Sequence, residues 1–152
     1  MCWMNNLAAL FRSFGYAAKG IAACVKERNF RVHIVAAVYV PLFARHFLHT
    51  AEQWTALVVT IALVMVTEMV NTAIEQTVDN LCPEHHPVAG RIKDVTAGAV
   101  LVAAIASVIV AVILFADGQA WTTLFTLWRE QWWRPVLFAV SIPFAAWFVF
   151  RK

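Results

Sequence analysis

Long apolar blocks separated by short polar segments dominate the pattern of this 152-residue chain. Residues 32–48, 53–81 and 95–116 predict three transmembrane helices, since roughly 20 apolar residues cross a bilayer. A fourth block, 135–150, follows a tryptophan-rich segment, and tryptophan collects at membrane–water boundaries. We interpret it as an additional membrane helix. The pattern therefore predicts an all-α integral membrane protein, with a helical domain over residues 1–118 and a Trp-rich tail over 119–152.

The N-terminal segment, residues 5–28, has a different pattern from the apolar blocks. Apolar side chains such as Leu7, Leu10 and Phe14 recur at three-to-four spacing among basic residues. This spacing predicts an amphipathic helix that lies on the membrane surface. Gly15 and Gly20 are expected to bend or break this helix.

The distribution of basic residues predicts the orientation of the chain in the membrane. Five of them precede the first predicted span: Arg12, Lys19, Lys26, Arg28 and Arg31. The loop 82–94 contains two more, and only Arg45 lies between the first two spans. The positive-inside rule then places the N-terminus and loop 82–94 in the cytoplasm and the protein in the cell membrane. Arg129 and Arg134 would lie outside, against the rule.

Composition excludes several classes of protein. The chain is 62% hydrophobic and 14% charged, whereas soluble domains are nearer half apolar and a quarter charged. The aromatic residues belong to apolar helices and form no stacking surface, so we expect no nucleic-acid partner. The three cysteines lack the spacing of metal ligands and are interpreted as scattered apolar residues.

A row of polar residues interrupts the second predicted span. At about 100° per residue, Glu68, Asn71, Glu75 and Asp79 fall within roughly 80° of one another and extend about 16 Å along the helix. Each charge at membrane depth costs about 2.5–3.5 kcal/mol, so this row must face protein or a wet site. A seam that only joins helices is one explanation. It accounts poorly for three carboxylates that repel one another, and it leaves a cation or proton site as the better interpretation.

Residues that suit phosphate transfer lie near the cytoplasmic end of this row. Two carboxylates can hold Mg²⁺ and leave positions for phosphate oxygens. Lys93, at the start of the third span, can neutralise phosphate charge. Glu68 lies deeper, where a partly desolvated carboxylate suits a general base that accepts a proton from a hydroxyl. The phosphate-binding glycine loops of soluble kinases do not occur in the sequence, so these residues alone do not identify ATP.

Four segments of the chain together resemble a known family. They are G-Y-A-A-K-G (15–20), E-R-N-F-R-V-H (27–33), E-M-V-N-T-A-I-E-Q-T-V-D (68–79) and G-R-I-K-D-V-T-A-G-A-V-L (90–101). The chain is similar, over about residues 9–116, to the small prokaryotic diacylglycerol kinases and undecaprenol kinases. This resemblance implies a homotrimer of three-span protomers with active sites between protomers at the cytoplasmic face. It also implies that MgATP phosphorylates the hydroxyl of a membrane lipid.

The resemblance assigns roles to individual residues. Glu68 corresponds to the catalytic base, Asn71 to a residue that orients this base or the lipid hydroxyl, and the carboxylates of Glu27 and Glu75 to Mg²⁺ ligands. The lipid is expected to contact Glu68, Asn71, Arg31, His33 and Trp54. The residues expected to bind ATP are Tyr16, Lys19, Glu27, Glu75, Asp79, Glu84, His85, His86, Lys93 and Asp94.

Two departures from the family pattern are evident. The family chain usually ends soon after the third span, so the Trp-rich tail is an addition. The arginine expected near the N-terminus has no clear match, because position 9 is alanine and Arg12 is displaced. Segment 27–33 and the start of the third span favour undecaprenol over diacylglycerol as substrate. The alternatives from other classes are a small ion or solute transporter and a non-catalytic assembly subunit.

Overall fold

The computed structural model describes residues 2–84 and 86–151, with side chains for 7–84 and 86–151. These residues form six helices: α1 (Cys2–Cys24), α2 (Arg28–Ala44), α3 (Ala51–Leu81), α4 (Pro87–Leu114), α5 (Gly118–Glu130) and α6 (Trp133–Phe150). By length and composition, α3, α4 and α6 can cross a membrane. The prediction of an all-α integral membrane protein is confirmed.

Helix α1 covers most of the predicted surface helix, residues 5–28. It continues through Gly15 and Gly20, so the expected break at the glycines is wrong. Its apolar side chains, including Phe11 and Phe14, are exposed rather than packed on the bundle. An apolar side that the protein itself leaves open is what a helix on a membrane surface requires.

Helix α2 begins and ends about four residues earlier than the span predicted at 32–48. Its 17 residues extend about 26 Å, slightly less than the bilayer core of about 30 Å. Residues 45–47 form a turn instead of continuing the helix, and the buried Phe47 and Leu48 pack into the protein. That residues 32–48 cross the membrane remains a prediction.

Helices α3 and α4 form the most extensive helix pair and run antiparallel. Thr50 and Gln53 form a reciprocal capping box that fixes the start of α3. Helix α4 begins at Pro87 rather than at residue 95, because proline suits a first helical turn and His86 caps it. Nδ1 of His86 accepts a hydrogen bond from the Val88 amide at 3.3 Å. Residues 87–94, predicted as loop, are therefore helical.

The tail forms two helices, of which only the second was predicted. Asp117 caps the start of helix α5, and its carboxylate accepts hydrogen bonds from the amides of Gln119 and Ala120. Helix α6 covers the predicted segment 135–150 and packs antiparallel on α2. The Tyr39 hydroxyl donates to Ser141 Oγ at 2.7 Å across this interface.

The main apolar core lies at the end of the bundle where α2 ends and α3 begins. We call it the distal cluster, and its buried members are Ala44, Phe47, Leu48, Leu57, Ala120 and Leu124. Aromatic rings surround it, with the centroids of Phe47 and Trp121 4.9 Å apart. Because Ala120 and Leu124 belong to α5, the tail completes this core.

Candidate active site

The polar row on α3 is buried at its deeper end. Glu68 is 3% exposed and Asn71 6% exposed, although both lie outside the main apolar core. Thr72, next to Asn71, is also buried. The sequence analysis did not select Thr72, yet at about 100° per residue it lies only some 40° from Glu68. The helical stripe therefore contains one more polar side chain than we predicted.

A hydrogen bond joins two members of the row. Asn71 Nδ2 donates to Glu75 Oε1 at 3.0 Å. The other amide atom of Asn71, Oδ1, is buried without a hydrogen-bond partner among the described residues. An unsatisfied buried acceptor has a cost that a donor from a bound molecule would remove. Asn71 thus holds one carboxylate in place and leaves an acceptor one turn from Glu68.

Residues from the junction of α1 and α2 lie near the row. The charges of His33, Glu75 and Glu27 act on the Glu68 carboxylate. Glu27 precedes α2 but forms no side-chain cap, so its carboxylate is available for other ligands. We call Glu27, His33, Glu68, Asn71 and Glu75 the acidic cluster. All five are among the residues predicted from the sequence, and Asn71 and Glu75 are in direct contact.

Cys24 is a neighbour of the acidic cluster that the sequence analysis missed. It is buried at the end of α1, and burial raises the pKa of its thiol. The negative charges of Glu27 and Glu68 raise this pKa further. A cysteine at the end of an amphipathic segment carries no pattern that would have predicted this position.

The acidic cluster has few potential metal ligands of its own. Among the residues that the structure describes, no three His, Cys, Asp or Glu side chains are grouped closely enough to hold a metal ion. The charges of Glu27 and Glu75 both act on Glu68. Two carboxylates fit Mg²⁺, which commonly takes one or two from protein and the rest of its ligands from phosphate and water.

A second group of predicted residues lines a small cavity where α3 meets α4. The cavity has a volume of about 140 Å³, and its polar lining includes Asp79, Glu84, His86 and Lys93. Lys93 Nζ lies 2.6 Å from Asp79 Oδ1. Asp94 is exposed on α4 and does not line this cavity. His85 lies outside the described residues.

The remaining predicted residues have other surroundings in the structure. Tyr16 and Lys19 are exposed on α1, with Lys19 Nζ 5.9 Å from the Tyr16 ring centroid. Trp54 packs against the distal cluster, about 21 Å along α3 from Glu68. Arg31 is buried and donates to the carbonyls of Phe148 and Arg151 at the end of α6. The length of α3 therefore separates Trp54 from Glu68, and the end of α6 holds Arg31.

An apolar cavity lies beside the acidic cluster. It has a volume of about 260 Å³ between α2, α3 and α4. His33 lines it together with Val64 and Met65, which lie one turn before Glu68. Polar groups at one end and apolar walls at the other match a molecule that has a polar head and a hydrocarbon chain.

Comparison with known proteins identifies the family of the chain. The sequence pattern described as prokaryotic diacylglycerol kinase matches residues 15–115. This chain belongs to the prokaryotic diacylglycerol kinase family. The matched residues contain the acidic cluster and the Asp79–Lys93 pair, and they end before α5. The family consists of lipid kinases, and the tail is an addition to the part that the family shares.

Individual members of the prokaryotic diacylglycerol kinase family carry two different names. The chain is 38% identical to an undecaprenol kinase of Bacillus subtilis over 112 residues, 73% of this chain and 91% of that protein. It is 37% identical to a diacylglycerol kinase of Escherichia coli over 111 residues, 72% and 91% respectively. A diacylglycerol kinase of Synechocystis is 44% identical over 104 residues, 66% of this chain and 59% of that protein.

Proposed function

We propose that this protein is an ATP- and Mg²⁺-dependent lipid kinase. It transfers the γ-phosphate of ATP to the hydroxyl of undecaprenol or diacylglycerol and gives undecaprenyl phosphate or phosphatidic acid. The observation that carries this proposal is the buried Glu68 carboxylate, which follows Val64 and Met65 of the apolar cavity by one turn of α3 and precedes Glu75 on the same face. A lipid with a hydroxyl group at the end of a hydrocarbon chain fits both environments, with the chain in the apolar cavity and the hydroxyl group beside the carboxylates.

Glu68 is assigned as the general base of the reaction. It accepts the hydroxyl proton as the lipid oxygen attacks the γ-phosphorus, and ADP leaves with the broken phosphoanhydride oxygen. Asn71 supports this step, since its hydrogen bond holds Glu75 and its free Oδ1 can accept a hydrogen bond from the bound lipid. The apolar wall of Val64 and Met65 keeps water from competing with the lipid hydroxyl.

The phosphates of ATP are assigned to the side of the site toward the α3–α4 loop. Lys93 supplies positive charge near them, and Asp79 holds the Lys93 ammonium group in position. Glu27 and Glu75 would hold Mg²⁺, which neutralises phosphate charge when it is bound. In this arrangement Glu75 lies between the nucleotide and the base, as its place in the row between Glu68 and Asp79 requires.

Further features of the proposal are the assembly and the location of the enzyme. Tyr16 and Lys19 are exposed on α1 and thus accessible to a neighbouring protomer, which supports sites shared between protomers of a homotrimer. The basic N-terminal segment supports a cytoplasmic active site in the cell membrane. ATP is available on that side of the membrane.

The decisive experiment measures phosphate transfer from labelled ATP to undecaprenol and to diacylglycerol in detergent micelles, with and without Mg²⁺. We expect a phosphorylated lipid, with undecaprenol the better substrate. Glu68→Gln should reduce the rate at least about 100-fold, because general-base catalysis contributes about 10²–10⁴. Glu52→Gln is the matched control, since Glu52 is an exposed acid at the other end of α3. Absence of product from both lipids, or equal rates for wild type and Glu68→Gln, would refute the proposal.

A further inference from the structure

A second, larger cavity lies between α2, α5 and α6, outside the acidic cluster. Its volume is about 660 Å³, within the range of about 300–1,000 Å³ that is typical of small-molecule sites. The apolar part of its lining includes Leu42, Phe43, Leu124, Trp128, Leu137 and Phe138. The family match ends at residue 115, so the walls from α5 and α6 belong to the part of the chain that the family does not share.

The rim of this cavity is cationic. Arg45 and His46 follow α2, and Arg134 lies in the first turn of α6, so all three meet at one end of the antiparallel pair. Arg45 Nε donates a hydrogen bond to His46 Nε2 at 3.3 Å, so this imidazole is a neutral acceptor and the positive charge of the rim comes from Arg45 and Arg134. Arg134 is further positioned over the Trp133 ring, 5.4 Å from its centroid. We call Arg45, His46 and Arg134 the cationic rim.

The cationic rim has no acidic partner in the part of the chain that the structure describes. Among the described residues, the ion pair joins Lys93 to Asp79, where α3 meets α4. Neither Arg45 nor Arg134 has a carboxylate within 4.0 Å. Clustered like charges repel one another, and an anion that binds between them would remove the repulsion. The rim therefore has the charge of an anion site. It also explains why Arg134 is tolerated on the side where the positive-inside rule disfavours it.

The apolar wall below the rim determines what kind of anion fits. It extends seven residues along α2, from Arg45 back to Val38, or about 10 Å. At the far wall, the hydroxyl groups of Tyr39 and Ser141 are hydrogen-bonded to each other. A free inorganic anion would leave this apolar wall uncovered, whereas an acyl chain attached to the anion would cover it.

We propose that the cavity between α2, α5 and α6 binds an anionic phospholipid. The phosphate headgroup contacts the cationic rim, and an acyl chain lies along the wall formed by Leu42, Leu137 and Phe138. The tail would then create a lipid site separate from the acidic cluster. Its occupant is held by charge complementarity at the rim and by burial of hydrocarbon below it.

Native mass spectrometry of the full-length protein, purified from nanodiscs that contain equal phosphatidylglycerol and phosphatidylcholine, tests this proposal. We expect wild type to retain phosphatidylglycerol in preference to phosphatidylcholine. Each rim arginine should contribute about a fivefold factor, so Arg45→Gln and Arg134→Gln together should lower retention roughly 25-fold. Arg129→Gln is the matched control, since Arg129 is exposed on α5 and does not line the cavity.

A separate variant tests the apolar wall. Leu137→Glu places a carboxylate in the wall and should remove the retained phosphatidylglycerol while both rim arginines remain. The proposal is overturned if the two lipids are retained equally, if the double arginine variant keeps its phosphatidylglycerol, or if Arg129→Gln loses as much of it. It is also overturned if the double variant changes the mass of the oligomer but not the bound lipid, since a second copy of the chain would then occupy the cavity.

Discussion

Asp79 and Lys93 illustrate how a single contact can be assigned to binding rather than to stability. Their side chains are 64% and 35% exposed, and ion pairs this open contribute only about 0–1 kcal/mol. Stability therefore does not account for a lysine held 2.6 Å from a carboxylate. Glu84 and His86 line the same cavity of about 140 Å³, so under the proposed function these four polar side chains would contact part of the nucleotide.

We expect Asp79→Asn to raise the KM for ATP roughly tenfold, the effect of losing about 1.4 kcal/mol of binding. The thermal midpoint should change little, because the exposed pair contributes little to folding. Steady-state kinetics at varied ATP, together with thermal unfolding of the same samples, measure both quantities. Glu130→Gln is the control, an exposed acid far along the chain. An unchanged KM with a clearly lower midpoint would contradict the assignment.

The members of the polar row show which contacts helix geometry predicts. The spacing of Glu68, Asn71 and Glu75 predicted that they share a face, and the hydrogen bond from Asn71 to Glu75 follows from this i, i+4 relation. The position of Cys24 could not be predicted in this way. Its burial near the charges of Glu27 and Glu68 depends on how α1 meets α2 and α3, which no local periodicity determines.

Arg31 links two helices at the element scale. Its guanidinium donates to the carbonyl of Phe148 at 3.0 Å and to that of Arg151 at 2.7 Å. The last carbonyls of a helix lack partners within the helix, so a buried arginine there caps α6. Arg31 Nε has no partner of its own among the described residues. The family resemblance implies that Arg31 lies near the lipid. In this chain, Nη1 of Arg31 donates its hydrogen bonds to the tail.

We expect Arg31→Gln to destabilise the protein by about 1.5–3 kcal/mol, the range for hydrogen bonds to a charged group. The loss should be visible as a lower thermal midpoint and as faster tryptic cleavage in the tail. The KM for lipid should stay close to that of wild type.

Arg28→Gln provides the comparison, because Arg28 lies one turn earlier on α2 and is exposed. If Arg31→Gln keeps the wild-type midpoint but raises the KM for lipid, Arg31 acts in substrate binding and the cap on α6 is unimportant.

Helix α5 shows how an element escapes prediction. Its tryptophans indicated a membrane boundary, but they did not indicate which surface the segment would cover. In the structure Leu124 is 1% exposed, in contact with residues that follow α2 and begin α3. The distal cluster therefore joins the tail to the shared domain through apolar packing, at the end of the bundle away from Glu68.

The whole molecule presents more apolar surface than a single soluble chain could. Val102, Ile109 and Val112 on α4 are each more than half exposed. Membrane lipid or neighbouring protomers must cover this surface. Together with the exposure of Lys19 on α1, it is consistent with the proposed homotrimer, in which one chain would complete the site of another.

Mixing inactive variants tests the shared site. We expect Lys19→Met and Glu68→Gln, each impaired alone, to regain lipid kinase activity when they are co-reconstituted, because some protomer pairs then contain one intact site. Phosphate transfer is measured at several mixing ratios. Glu75→Gln mixed with Glu68→Gln should show no gain, since both carboxylates belong to one cluster on α3. Absence of any gain from the first mixture would place each active site within a single chain.

The sequence alone identified the apolar segments that form α3, α4 and α6, because apolar length and helical periodicity are local properties. It also determined that Glu68, Asn71, Glu75 and Asp79 share one face of α3, since the helix fixes that spacing. Only the tertiary structure decided which elements face this row, that the tail packs on α2, and that Arg45 and Arg134 share one cavity. These depend on contacts between residues as many as 120 positions apart, such as Arg31 with Arg151, which no local pattern encodes.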